Sequence, residues 1–263
     1  MTDGVVVLMY HRLGRAGNAW ERKYCVAPDR FAAQMDALAA AGRCAVDLQA
    51  FLDWLQGGPA LPAGSLVITF DDGFRGVREH AQPVLERLGW PFTVFLVSDL
   101  LGRQDVWTLP ENPAGLAHPL LDADEIRDMQ QRGVRFESHT RSHARLPTLD
   151  DAALADQLAG SRERLSDLLG RDVRYLAYPY GQHDPRVEAA AQSAGYRAAF
   201  STRPGFNRAG ADPFCIRRLD VYGTDTPAML LRKVHLGSND GSLAYVAGYY
   251  LDRARARLAG GAR

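Results

Sequence analysis

The chain has 263 residues, of which 46% are apolar and 24% charged, enough to bury a sizeable core and ordinary for a soluble globular protein. Its 31 basic and 31 acidic side chains balance to a formal net charge of zero, without the basic excess expected of a nucleic-acid binder. No run approaches the roughly 18–20 apolar residues of a membrane span, and no low-complexity tract marks disorder.

Cys25, Cys44 and Cys215 are odd in number and form no CxxC pair, so free thiols are expected rather than a disulfide framework or a cysteine-rich zinc site. The apolar run from Val5 to Met9 lacks a basic leader and is too short for a signal-peptide core, so a cytoplasmic location is expected.

In chain order, residues 5–11 (VVVLMYH) read as a buried strand. Residues 29–42 read as a helix with Asp29 as N-cap and Phe31, Met35 and Leu38 on one face, and residues 47–58 as a second helix closed by glycines. A strand at 65–70 (SLVITF), a helix at 76–89 ending on Gly89 and a strand at 91–98 follow. Residues 100–121 are irregular, with prolines, glycines and Trp107, and suggest a loop beside strand ends; loops of that length often act as lids. Then come a helix at 122–133 with acidic residues at its start and Gly133 at its end, and a short strand at 134–139.

A long amphipathic helix at 148–170, a strand at 173–181 and a helix at 184–195 with Pro185 at its first position continue the alternation. Strands at 196–202 and 215–221 and helices at 226–237 and 242–260 complete the chain. Continuous apolar strands alternating with helices imply a parallel sheet covered by helices, and about seven such units favour a barrel over an open sheet. One domain over residues 1–263 is expected.

In a parallel α/β barrel the chemistry gathers at the C-terminal strand ends. Four such ends are polar here: Tyr10-His11, Asp71-Asp72-Gly73, His139 with His143, and Pro179-Tyr180-Gly181. His139 and His143 stand four apart directly after a strand, a spacing that on a helical turn puts both imidazoles on one side. Two histidines and one carboxylate make a facial site for a divalent ion with open positions. Asp72 can supply the carboxylate, leaving Asp71 beside those positions.

TFDDG (69–73), SHTRSH (138–143) and YPYG (178–181), in that order, resemble the motifs of the polysaccharide deacetylases, and LMYHRLG (8–14) is similar to a branch associated with exopolysaccharide synthesis. The resemblance implies a distorted (β/α)₇ barrel and metal-dependent removal of an acetyl group, N-acetyl favoured over O-acetyl, from a saccharide. It implies Asp71 as general base, Asp72, His139 and His143 as metal ligands, and Pro179 and Tyr180 lining the groove, with the Tyr180 N–H binding the oxyanion. Zinc is the expected ion; cobalt, nickel and manganese are alternatives. The expected partner is an acetylated saccharide.

The chain departs from the pattern in three places. An arginine that supports the base in many members is replaced by Ala177, and Arg217 or Arg218 is a candidate substitute. No late LLH motif supplies the acid; His11, at a strand end, is better placed than His235 on a helix, and His183 reads as a turn residue. Glu137 stands where a small residue is common, and either pairs with an arginine such as Arg141 or faces the site. Two alternatives to the deacetylase are a small-amide hydrolase such as a deformylase, and a metal-bearing carbohydrate-binding protein with impaired catalysis.

Overall fold

The computed structural model describes residues 4–113 and 115–260. Its strands are β1 (Val6–Tyr10), β2 (Arg12–Leu13), β3 (Cys25–Val26), β4 (Cys44–Ala45), β5 (Ser65–Phe70), β6 (Thr93–Leu96), β7 (Arg135–Ser138), β8 (Tyr175–Ala177), β9 (Ala198–Phe200) and β10 (Leu219–Asp220). Its helices are α1 (Glu21–Tyr24), α2 (Pro28–Ala40), α3 (Leu48–Leu55), α4 (Gln82–Leu88), α5 (Ala123–Gln131), α6 (Asp151–Ala155), α7 (Ser161–Leu169), α8 (Pro185–Ser193), α9 (Pro227–Leu236) and α10 (Leu243–Gly260).

The main sheet is parallel, in the order β10-β1-β5-β6-β7-β8-β9, with β4 alongside the start of β5. Ile216 pairs in parallel with Phe200 of β9, and Leu219 and Asp220 pair with Leu8 and Met9 of β1. The segment from 216 to 220 therefore closes the curled sheet into the expected distorted seven-stranded barrel.

Alternation along each strand sends successive side chains to opposite faces. Leu8, Ile68, Val94, Phe136 and Leu176 face outward into a core shared with helical residues such as Phe31, Leu85, Ile126 and Leu165. Val7, Val67, Phe95, Tyr175 and Phe200 face inward and meet Phe51, Leu52 and Leu55 of α3, which plugs the N-terminal mouth. Asp47 caps α3 by accepting from the Gln49 N–H at 2.7 Å. The same alternation, carried one residue past β1 and β5, puts His11 and Asp71 on the inner side at the other mouth.

Several expected elements are adjusted. Ala27, not Asp29, is the N-cap of α2, because Pro28 occupies the first helical turn; Asp29 lies inside that turn. The helix expected at 76–89 begins with a π turn over Val77–Ala81, just before Pro83, which has no N–H to give the ladder. The long helix expected at 148–170 is broken by a second π turn over Asp156–Gly160. The strand expected at 215–221 holds regular pairing only at Leu219–Asp220, since the Arg217 N–H is diverted to the Asn207 side chain at 2.9 Å. Segment 100–121 is largely irregular, as expected, and lies against Gly73 and Phe74 through the Leu121 N–H to Gly73 carbonyl bond (2.8 Å) and a Phe74–Leu120 bridge. The cysteines are free thiols. Among the described residues no helix is long and apolar enough to cross a membrane.

Candidate active site

Asp71 and Asp72 follow β5 directly. Asp72 adopts φ 73°, and Gly73 follows at φ 80°. That turn lets two adjacent carboxylates leave an extended strand and still meet in one place. His139 follows β7, its N–H bonded to the Leu96 carbonyl at 2.8 Å. His143 is reached through an irregular turn, not the helical turn expected from the spacing. Thr140 at φ 69° breaks helical continuity, and Ser98 and Asp99 donate backbone bonds to the carbonyls of Thr140 and Arg141 (3.0 and 2.9 Å).

Asp72, Thr140, His143 and Tyr180 are the non-glycine residues with positive φ among the described residues, and all belong to this site. Left-handed backbone at such side chains is held at a cost and clusters at functional sites.

The Asp72 Oδ1 lies 3.5 Å from His139 Nε2 and 3.4 Å from His143 Nε2. One potential ligand atom from each residue falls within 4.8 Å of the others. His139 Nδ1 bonds the Ala177 carbonyl at 2.8 Å, which fixes the tautomer and leaves Nε2 as a lone pair aimed inward. Burial lowers the His139 pKa to about 4, despite the opposing Asp71 charge, and burial with His139 and His11 lowers that of His143. Both rings are thus neutral, the ligand form. Burial, then the Asp71 and Asp105 carboxylates, raise the Asp72 pKa. Its Oδ1 and the His143 Nδ1 are buried without a hydrogen-bond partner among the described residues. A crowded carboxylate with an orphaned oxygen facing two imidazole lone pairs fits a divalent cation, which reverses the local charge balance.

Asp71 is the other half of the pair. Arg218 is fully buried and grips it with Nη1–Oδ1 at 2.7 Å and Nη2–Oδ2 at 2.8 Å, while its Nε donates to the Ser201 carbonyl at 2.9 Å. Burial pushes the Asp71 pKa up, but the guanidinium outweighs it and holds the carboxyl at about 2. Of the arginines considered in place of Ala177, Arg218 reaches the site; Arg217 bonds the Pro204 carbonyl instead. The sequence signal for Arg218 was its alternation with Ile216 and Asp220 in the segment leading into β10.

A cavity of about 310 Å³ opens above these groups, lined by His11, Asp71, Asp72, His139, His143 and Tyr180 among others. Burial lowers the His11 pKa, opposed by Asp71 and Asp220. His235 is exposed on α9 and meets the Tyr250 hydroxyl at 3.2 Å, away from this cavity. His183 stacks on Tyr178 at 4.7 Å, just past the turn that presents Tyr180. Of the pair expected along the groove, Tyr180 lines the cavity and Pro179 is buried in the turn beneath it.

Trp107, from the irregular segment, stacks on His143 at 4.7 Å, and Arg145 lies 3.9 Å over the Tyr180 ring. Glu137 neither faces the site nor pairs with Arg141. It is fully buried, takes N–H bonds from Arg174 and Tyr175 (2.9 and 3.0 Å), and pairs with Arg135 and Arg171, tying β7 to β8.

Residues 59–199 match the family model described as polysaccharide deacetylase. The chain belongs to the polysaccharide deacetylase family. This polysaccharide deacetylase is 23% identical over 219 residues to a Staphylococcus aureus poly-beta-1,6-N-acetyl-D-glucosamine N-deacetylase, covering 76% of this chain and 72% of that protein. It is 26% identical over 156 residues to YxkH of Bacillus subtilis, a protein named for the same family, and the match spans about half (51%) of that relative's length. Among solved structures, IcaB from Ammonifex degensii superposes with a TM-score of 0.73 at 28% identity, covering 89% of this chain and 97% of that one. The Streptococcus pyogenes deacetylase PplD, solved with acetate, has a TM-score of 0.75 at 20% identity over 88% of this chain and 98% of that one, a likeness of fold.

Proposed function

We propose that the protein is a metal-dependent hydrolase that removes N-acetyl groups from a saccharide built of N-acetylhexosamine. The observation that carries this reading is the division between two adjacent carboxylates, one clamped by a buried arginine and the other facing two neutral imidazoles. Asp72, His139 and His143 hold the ion, and zinc suits two nitrogens and one oxygen with open positions. A divalent ion held there would polarise the acetyl carbonyl and make a water molecule more acidic.

The chain's own groups do the rest. Asp71, kept ionised by Arg218, takes the proton of the attacking water. The Tyr180 N–H donates to the developing oxyanion. His11, in the imidazolium form that burial opposes and the Asp71 and Asp220 carboxylates favour, gives a proton to the amine nitrogen as the C–N bond breaks, since an unprotonated amine is a poor leaving group. The Arg218 clamp weighs against an impaired carbohydrate-binding protein, because the base retains its support without an arginine at Ala177. The S. aureus and IcaB likenesses support an exopolysaccharide as the acetylated substrate.

The test is elemental analysis and acetate release on the same samples. One zinc per chain is expected. Asp72→Ala is expected to lose metal and activity together. Asp71→Asn is expected to keep the metal while activity falls by roughly two to four orders of magnitude, the scale of a lost general base. Full activity without Asp71, or metal loss in Asp71→Asn, would refute the assignment.

A further inference from the structure

We infer that Trp20, Tyr24 and Tyr222 form a saccharide subsite that holds the sugar units adjoining the reacting acetamide; this rests on the assignment of His11 as the proton donor. The acetyl carbonyl belongs at Asp72, His139 and His143. The nitrogen stays on the sugar and faces His11, so the saccharide must extend past His11.

What lies there is aromatic. The His11 ring packs 5.6 Å from Tyr24, and Tyr24 packs 5.2 Å from Trp20. Lys23 Nζ sits over Tyr24 at 4.9 Å and over Tyr222 at 5.6 Å. All of these residues line the cavity that contains the Asp71–Asp72 pair. A pyranose has an apolar C–H face that packs on such rings and a rim of hydroxyls that a lysine can bond.

The platform is also fixed in place. Glu21 opens α1, is 5% exposed and takes no part in the chemistry. Arg12 Nη2 (2.6 Å), the Gly17 N–H (2.7 Å) and Asn112 Nδ2 (3.4 Å) donate to its carboxylate. Asn18 Nδ2 bonds Asn112 Oδ1 at 2.9 Å, lashing the α1 approach to segment 100–121. A buried carboxylate is retained only when it is satisfied this fully, and here it holds Trp20 and Tyr24 in position before ligand arrives.

The test compares kcat and KM for acetate release from N-acetylglucosamine oligosaccharides of one to four units with those for a small aryl acetate too short to reach the platform. Trp20→Ala and Tyr222→Ala are expected to raise the tetramer KM about tenfold with kcat changed less than about twofold, and Trp20→Phe to restore most of the loss. The ratio of tetramer to aryl-acetate kcat/KM should fall by the same factor. Calorimetric titration of Asp71→Asn protein with the tetramer reads binding without turnover, and adding Trp20→Ala should weaken it about tenfold. Equal tetramer binding with and without Trp20, or equal losses on tetramer and aryl acetate, would overturn the subsite. Aryl-acetate turnover with no saccharide binding would overturn it too, while leaving the hydrolytic centre standing. Tryptophan-dependent tetramer binding by a wild-type protein that releases no acetate would support the subsite and sink the hydrolase reading.

Discussion

Arg218 enters the barrel from the residue just before β10 and holds Asp71 in a bidentate pair, with both side chains almost wholly buried. Removing one member leaves the other's charge buried and uncompensated, which typically costs about 3–5 kcal/mol. Arg218→Met is therefore expected to lower unfolding free energy by about that amount, and adding Asp71→Asn should recover part of it while acetate release stays lost. An unchanged midpoint in urea for Arg218→Met would exclude the clamp. His11 is tested through the leaving group. An amine must be protonated to depart, whereas a nitrophenolate leaves unaided, so His11→Gln should lower kcat by roughly 10²–10³ on an acetamide and far less on an aryl ester. His235→Ala, on the exposed face of α9, should leave both rates unchanged. Equal losses on both substrates in His11→Gln would remove it as the proton donor. The convergence of Asp71, Asp72, His139 and His143 was legible because each stands at a strand end in a short motif. Arg218 was harder to find because its role depends on which side of the segment before β10 it faces, and Arg217 beside it carries the same chemistry.

At the scale of elements, buried strands such as β1 and β5 were legible because their apolar runs are unbroken, and helix ends were marked by Gly89, Gly133 and Gly170. The π turns were not, since a π turn adds one residue per turn without changing the apolar pattern much. The small strands β2, β3 and β4 have two residues each, too few to show a period. The spacing of His139 and His143 suggested a helix but belongs to a turn with two left-handed residues, a conformation that tertiary bonds to Ser98 and Asp99 enforce. The β5 turn makes the same point at Gly73. Its φ of 80° suits glycine, and an added Cβ would lie 2.7 Å from Leu96 Cδ2. Gly73→Ala is expected to destabilise by about 1–3 kcal/mol and to weaken zinc binding, because the displaced turn carries Asp72. A variant with wild-type unfolding and metal content would show that the turn tolerates a side chain.

At the scale of the whole molecule, the candidate ligands come from the ends of β5 and β7, with β6 between them. An ion bound there joins two non-adjacent strands across the barrel mouth, and near it lie Trp107 from segment 100–121 and Tyr180 from the turn after β8. The same place holds a buried, crowded carboxylate with an oxygen that has no hydrogen-bond partner among the described residues. Binding to the folded state alone stabilises by RT ln(1 + [L]/Kd), about 2.7 kcal/mol at a hundredfold excess over Kd. For a chain of this size each kcal/mol moves Tm by about 2–4 °C. Chelation is thus expected to lower Tm by roughly 5–10 °C, and added zinc to restore it in proportion to the logarithm of free metal. Asp72→Ala should melt at one temperature with or without chelator, while Asp71→Asn should keep the metal-dependent shift, since its change leaves the three candidate ligands in place. A wild-type Tm indifferent to chelator, in protein shown by elemental analysis to have carried zinc, would mean that the ion does not bridge the two strand ends.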